Sequence, residues 1–295
     1  MGTPQIDRRF FLTRVGVLGA LAAAGTVVPG AARAVTSGSQ ADPLVEVVAK
    51  LLAEIARDTI NGLAVFVAPG PDAYSRTQGT PRQEPGAMEA KTPDFLIESL
   101  DNYVPLPDQV ATAVGRALAN GLADVPIVVP NGLPLVTNSL LADLDDAVKV
   151  LLRNDAALPL SVVIALLLNS QAVRVDPGSA AGPHLSPFSR LSFAKKAEVF
   201  ELLELADPQL VGSIDAELPE PLKGTTSGIM RFIAGALLEF SAFGTFCEWS
   251  TFDAAGLTVT RRPVGWDLAK YDPGSMEGWD EFKGYYQGRQ KVSAR

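Results

Sequence analysis

The sequence predicts an all-α protein, an irregular helical bundle with long Pro/Gly-rich connections and an extended aromatic C-terminal tail. Apolar residues recur three and four positions apart in several segments, which is the helical period. No segment shows the alternation of a half-buried strand, and no strand–helix repeat is present. We therefore expect a single helical domain over residues 43–295, after an export signal at 1–34 and a linker at 35–42.

The first predicted helix covers 43–60, with Asp42 as its N-cap. Residues 68–93 are rich in proline and glycine, so they are predicted to form a long, mobile loop. A second helix is predicted to begin at Pro107. Residues 125–136 contain too many prolines for a central strand and are predicted as an extended connection.

In the middle of the chain, a further helix is predicted after Asn138. Residues 160–168 are almost wholly apolar but too few to span a bilayer, which favours a buried core helix. A Gly/Pro/Ser loop is predicted at 176–187, followed by a helix at 192–206. The predicted apolar stripe of the latter consists of Phe193, Ala197, Phe200 and Leu203.

The last long helix is predicted at 224–252. Arg231 and Glu239 interrupt its apolar run, so we do not expect it to span a membrane. The chain from Asp253 onwards is predicted to be loop-like and aromatic.

The N-terminus has the pattern of a twin-arginine export signal. Arg8 and Arg9 precede two phenylalanines and a leucine, and a mildly apolar stretch and a small-x-small cleavage site follow. The positions that define the signal and its cleavage are Arg8, Arg9, Phe11, Leu12, Ala32 and Ala34. We therefore expect export to the periplasm, cell envelope or extracellular space, by way of the twin-arginine translocase.

Composition excludes several classes of function. The 295 residues contain one histidine and one cysteine, too few for a Cys/His zinc or iron–sulfur site or for an internal disulfide. The net charge of −8 argues against nucleic-acid binding, and removal of the basic signal makes the chain more acidic still. No phosphate-binding glycine motif follows the signal, so nucleotide and flavin binding lack support.

Few residues suggest catalysis by this chain. His184 could serve as a hydrolase base, but no Gly-x-Ser-x-Gly elbow accompanies it, so we interpret it as a loop histidine. Glu198, Glu201 and Glu204 recur every three residues, which is more typical of a solvated helix face than of a metal centre. We expect neither a catalytic residue nor a cofactor or metal in this chain.

Aromatic residues are concentrated near the C-terminus. Twelve lie between Phe232 and Tyr286, including all three tryptophans. They either complete a core against which the tail folds back or form a surface that docks a partner. Cys247 is either buried or half of an intermolecular disulfide. The candidate docking residues are Cys247, Trp249, Trp266, Tyr271, Trp279, Tyr285 and Tyr286.

Three stretches together resemble the gluconate 2-dehydrogenase subunit 3 family. They are the twin-arginine signal on a chain without cofactor motifs, the segment Phe188–Phe193 with the helix at 194–205, and the long helix at 226–246 that leads to Arg262–Leu268 and Tyr271–Gly274. The resemblance covers roughly residues 185–275. It implies a helical accessory subunit without a cofactor, whose twin-arginine signal exports a catalytic subunit that carries FAD and has no signal of its own.

The sequence thus leads to one favoured function and two alternatives. The favoured one is a non-catalytic, chaperone-like subunit that binds and co-exports a flavin-dependent oxidoreductase of the glucose–methanol–choline type. The alternatives are an envelope protein that holds a lipid or steroid between its helices and a stand-alone exported hydrolase.

Overall fold

The computed structural model describes residues 41–104, 108–123, 151 and 158–271. Helices make up 68% of this part, and its only sheet has two strands. The predicted all-α class is therefore confirmed. Several predicted features lie outside the described residues: the predicted export signal, the predicted connection at 125–136, the predicted helix after Asn138 except for residue 151, and the candidate docking residues Trp279, Tyr285 and Tyr286.

Helix α1, Ala41–Val67, is longer than predicted at both ends. Asp42 lies inside the helix rather than at its cap. The helix continues beyond residue 60 because Ile60, Leu63 and Ala64 keep the apolar spacing and are fully buried. α1 packs against four other helices and the 3-10 turn at Phe188–Arg190, so it lies near the centre of the described fold.

The prediction of an unbroken loop at 68–93 is wrong, because part of this stretch is helical. This stretch contains helix α2, Ala73–Gln78, and the start of helix α3, Thr92–Asn102. The Asp72 side chain caps α2 by accepting a hydrogen bond from the Ser75 amide at 2.9 Å, and Gly79 ends it in the left-handed conformation with φ 86°. Ala87 and Thr92 are fully buried and anchor the end of the stretch, whereas residues 81–84 are exposed.

Helix α4, Asp108–Ala123, begins next to the predicted Pro107 and buries Val110 and Val114. Helix α5, Leu160–Val175, is buried at every position from 161 to 173, which confirms the predicted core helix. Neighbouring helices cover all its sides: α1, α3, α4 and the following helix α6. The connection after α5 is a loop with a short 3-10 turn at Pro177–Ala180, as predicted.

Helix α6, Phe193–Glu204, is capped by Ser192 and confirms the predicted helix, but part of its predicted stripe is wrong. Phe193 is exposed over 44% of its surface. The buried face instead consists of Lys196, Val199, Phe200 and Leu203. Glu198, Glu201 and Glu204 are exposed, as predicted. Helix α7, Pro208–Glu217, follows and packs against α4.

Helix α8, Thr226–Phe246, ends six residues before its predicted limit because the chain becomes extended at Cys247. A 3-10 turn at Trp249–Thr251 leads into strands β1, Phe252–Asp253, and β2, Thr258–Val259, which pair antiparallel. Helix α9, Val264–Ala269, then packs on the end of α8. The prediction of a purely loop-like chain after Asp253 is therefore wrong up to residue 271.

Candidate functional site

One side of α8 is exposed and carries large aromatic side chains. Phe232, Phe243 and Phe246 are exposed over 65%, 60% and 47% of their surfaces. Phe243 and Phe246 follow Phe232 by 11 and 14 residues, which is about three and four helical turns. These rings therefore share one side of the helix over roughly 21 Å. We call Phe232, Phe243 and Phe246 the aromatic stripe. The opposite side of α8 contributes Met230, Ile233, Ala234, Leu237 and Ser241 to the interior.

The aromatic stripe continues past the C-terminal end of α8. Phe95 of α3 lies 5.7 Å from the Phe243 ring and 5.8 Å from the Trp249 ring, between centroids. Trp249 remains 39% exposed, and the two-stranded hairpin that follows exposes Phe252, Leu257 and Val259. Exposed apolar patches are common at sites of interaction with other molecules.

Two glycines of α8 lie near the aromatic stripe. A Cβ added at Gly228 or Gly235 would meet no atom within 4 Å, so no close contact among the described residues explains either glycine. Glycine inside a helix costs about 0.5–1 kcal/mol relative to alanine. The helix therefore keeps two destabilising residues on or beside its open side.

The structure separates the predicted docking residues into two groups. Trp249 and Tyr271 are exposed, and Trp249 is connected to the stripe through Phe95. Trp266 has a structural role: its indole nitrogen donates to Glu248 Oε1 at 2.8 Å, and its ring meets Tyr271 edge-on at 5.4 Å. Cys247 is a half-buried free thiol, and burial raises its pKa, so it is a poor nucleophile.

The docking residues predicted from the sequence all lie after residue 246, so they do not include the stripe itself. Phe232, Phe243 and Phe246 were counted among the aromatic residues but not as docking residues. The signal that identifies them is their spacing of 11 and 14 residues, which returns to the same side of a helix.

Acidic residues flank the aromatic stripe. Glu239 lies on the exposed side of α8, and Glu201 and Glu204 line a shallow surface pocket with Leu205 and Arg231. Arg231 Nε donates to the Glu204 carbonyl at 2.9 Å, which ties α8 to the end of α6. Leu205 is exposed over 76% of its surface, so this pocket combines carboxylates with an apolar side chain.

A second polar centre is buried on the other side of α6. Asp58 of α1 is only 5% exposed, and its carboxylate accepts three hydrogen bonds. The donors are the Tyr74 hydroxyl at 2.8 Å, the Ser186 amide at 2.9 Å and the Ser186 hydroxyl at 2.7 Å. The Asp58 carbonyl accepts a fourth from the Ser189 hydroxyl at 2.6 Å. This set holds the loop before α6 against α1.

Lys196 lies in the same centre and is fully buried. Its Nζ donates to the Gly62 carbonyl and to Gln78 Oε1, each at 2.8 Å, and lies 5.4 Å from the Phe188 ring centroid. Burial lowers the pKa of Lys196 to about 7, although the charges of Asp58 and Asp72 oppose that shift.

His184 connects the loop to α2. Its Nε2 lies 2.8 Å from the Thr77 hydroxyl, and its ring stacks on Tyr74 at 4.3 Å. Arg190 Nε donates to the His184 carbonyl at 2.8 Å. Burial lowers the pKa of His184, so it is neutral at pH 7. The loop assignment of His184 is confirmed, and its neighbour on Nε2 in the described structure is a threonine rather than a serine.

The described residues contain no group of three His, Cys, Asp or Glu side chains that could hold a metal ion. They include one helical stretch, 226–251, that is long and apolar enough to cross a membrane by length and composition; 39% of its most apolar window is buried. Comparison of the chain with family models, curated proteins and solved structures finds no match in any of the three.

Proposed function

We propose that this chain is a non-catalytic accessory subunit that docks a larger protein through the aromatic stripe and is exported with it. The observation that supports the proposal is the exposure of Phe232, Phe243 and Phe246 on one side of a helix whose other side is packed in the core. Interfaces are enriched in such aromatic residues, and these rings are already fixed by a rigid helix.

The surroundings of the stripe favour a protein over a lipid surface. Helices that lie on membranes carry lysine and arginine beside their apolar face, because lipid headgroups are commonly anionic. Here Glu239 lies on the exposed side of α8, and Glu201 and Glu204 line a pocket with Arg231, while Arg262 beyond the end of α8 is paired with Asp267. To span a bilayer, α8 would also have to leave its packing against α1, α3 and α6.

The partner we propose is a flavin-dependent oxidoreductase of the glucose–methanol–choline type, which would hold FAD. This identity comes from the resemblance to gluconate 2-dehydrogenase subunit 3 proteins, together with the twin-arginine pattern at Arg8 and Arg9. The twin-arginine pathway exports folded proteins. Such a signal is expected on a chain without cofactor motifs if the partner that is exported with it carries the cofactor.

Co-expression tests the proposal. The chain is produced with candidate flavin-dependent oxidoreductases of the glucose–methanol–choline type from the same genome that lack an export signal, and exported flavin activity is measured. We expect export to require this chain and to be lost when Arg8 and Arg9 are both replaced by lysine. Export of the flavoprotein without this chain would overturn the proposal.

A pair of surface variants tests the docking site. Phe232→Ser combined with Phe243→Ser should abolish co-purification of the flavoprotein. Tyr103→Ser is the matched control, because Tyr103 is 73% exposed at the end of α3 and is not part of the stripe. If the double variant instead loses sedimentation with anionic vesicles while the flavoprotein still co-purifies, the stripe binds membrane and the proposed docking role is wrong.

A further inference from the structure

A carboxylate lies in the middle of the aromatic stripe. Glu239 follows Phe232 by seven residues and precedes Phe243 by four, so it lies on the same side of α8 as both rings. Glu239 is exposed, and among the described residues it forms no ion pair. The stripe therefore offers two features to whatever covers it: apolar rings towards both ends and a negative charge between them.

The described part of the chain ends beside one end of the stripe. A Cβ added at Gly265 of α9 would lie 2.5 Å from the Phe246 backbone, so α9 begins against the last residue of α8. At the other end of α9, the Tyr271 amide donates to the Trp266 carbonyl at 2.8 Å. The Trp266 indole is in turn bonded to Glu248. Tyr271 is therefore held near the C-terminal end of α8.

The residues that follow Tyr271 complement the stripe in composition. Four aromatic residues lie within eight positions, and one lysine lies among them: Trp279, Phe282, Lys283, Tyr285 and Tyr286. Arg289 and Lys291 follow, and residues 282–295 contain no acidic side chain. We call residues 279–291 the aromatic–basic segment. It carries rings that can pack on the rings of α8 and cations that can face Glu239.

The aromatic–basic segment is connected closely enough to reach the whole stripe. Residues 272–278 join it to Tyr271, and seven residues span at most about 25 Å. The stripe itself extends over roughly 21 Å from Phe246 to Phe232. A connection this short holds the segment at an effective concentration of the order of millimolar. Even a weak contact is therefore populated within one chain.

We propose that the aromatic–basic segment covers the aromatic stripe of its own chain, with Lys283 opposite Glu239. A second copy of the chain fits this surface less well, because a two-fold pairing through the stripe would bring Glu239 close to its counterpart. A partner must displace the segment to reach the rings, and this consequence rests on the proposed function. A displaceable cover adds little to the free energy of unfolding of the helical body.

Photocrosslinking in the purified full chain, with no other protein present, tests this cover. Benzoylphenylalanine replaces Phe232 or Phe243, and it replaces Tyr103 as the exposed control outside the stripe. We expect both stripe positions to give a product of monomer mass whose crosslink maps to residues 279–291, and position 103 to give none. A product that joins two chains, or no crosslink to this segment, would overturn the proposal.

Reversal of charge tests the contact between Lys283 and Glu239. Glu239→Lys or Lys283→Glu alone should lower the yield of the self-crosslink about two- to fivefold, as expected for an exposed ion pair. The two substitutions combined should restore the yield. Lys50→Glu is the matched control, since Lys50 is an exposed lysine of α1, and it should leave the yield unchanged. A combined variant with no more crosslink than the single ones would contradict the pairing.

The cover and the proposed partner can fail separately. A self-crosslink in a chain that exports no flavoprotein would support the cover and reject the partner. Export of the flavoprotein by a chain that forms no self-crosslink would support the partner and overturn the cover.

Discussion

The buried polar centre and the aromatic stripe both carry side chains that are unusual for their surroundings. They differ in whether those side chains find partners within the chain. In the buried centre, charged and polar side chains lie where apolar ones are expected, and Asp58, Gln78 and Lys196 all find partners within the chain. On the aromatic stripe, apolar rings lie where polar ones are expected, and Phe232 has no ring partner among the described residues. The first region contributes to the fold, whereas in the second the rings of Phe232, Phe243 and Phe246 remain about half exposed or more.

This contrast predicts opposite responses to mutation. Changes in the buried centre should lower the stability of the isolated chain, whereas changes on the stripe should leave stability intact and affect only binding. The predictions below run from the largest expected change in the free energy of unfolding to the smallest.

Asp58→Ala should have the largest effect, a loss of about 3 kcal/mol or more in the free energy of unfolding. The substitution strands the buried Ser186 amide and hydroxyl and the Tyr74 hydroxyl, and each unsatisfied group costs about 1–3 kcal/mol. Urea unfolding measures the change. A loss below 1 kcal/mol would mean that the network is not as closed as its distances imply.

Gly62→Ala should destabilise by about 1–3 kcal/mol, because the new methyl group would overpack a filled interior. Its Cβ would lie 2.4 Å from the Ser189 hydroxyl oxygen and 3.0 Å from the Ser189 Cα. The thermal midpoint reports the effect. Combining it with Ser189→Gly, which removes the opposing hydroxyl, should restore part of the loss; an additive loss would contradict this contact.

Gly235→Ala should stabilise the isolated chain by about 0.5–1 kcal/mol, since alanine favours the helix and its methyl group meets no atom within 4 Å. A partner that approaches α8 closely would lose affinity for the same variant. Urea unfolding and co-purification with the flavoprotein measure the two quantities. Destabilisation of the isolated chain would show that the position is already covered.

Phe232→Ser should change the free energy of unfolding by no more than about 0.5 kcal/mol, as expected for a site with few intramolecular contacts. The side chain is 65% exposed, in contrast to Phe188, which is fully buried. Phe188→Ser is therefore the opposing variant and should cost several kcal/mol. Similar losses in the two variants would remove the distinction between stripe and core.

Much of the fold could be predicted from the sequence, because long apolar patterns determine long helices. α5 was identified from its continuous apolar run, and the exposed glutamates of α6 from their spacing. α2 was missed because a six-residue helix between prolines and glycines has no period to detect. Its stability comes instead from the Asp72 cap and from the contact of its residue Gln78 with Lys196.

The candidate sites were harder to predict, and for opposite reasons. The predicted stripe of α6 does not include Lys196, since a lysine is almost never enclosed, and its burial depends on the Gly62 carbonyl and the Gln78 side chain, which approach it only in the folded chain. The sequence does not distinguish the aromatic stripe from a core segment, since an apolar helix is usually a core helix. The side of α8 that is covered is set by its packing against α1, α3 and α6.

Site-specific photocrosslinking tests the central claim most directly, because it reports what touches the stripe in living cells. Benzoylphenylalanine replaces Phe232 or Phe243, which changes their shape little, and replaces Tyr103 as the exposed control. The account predicts a crosslink to the exported flavin-dependent oxidoreductase from both stripe positions and none from position 103. Crosslinks of equal yield from all three positions, or none from the stripe while the two proteins still co-purify, would contradict it.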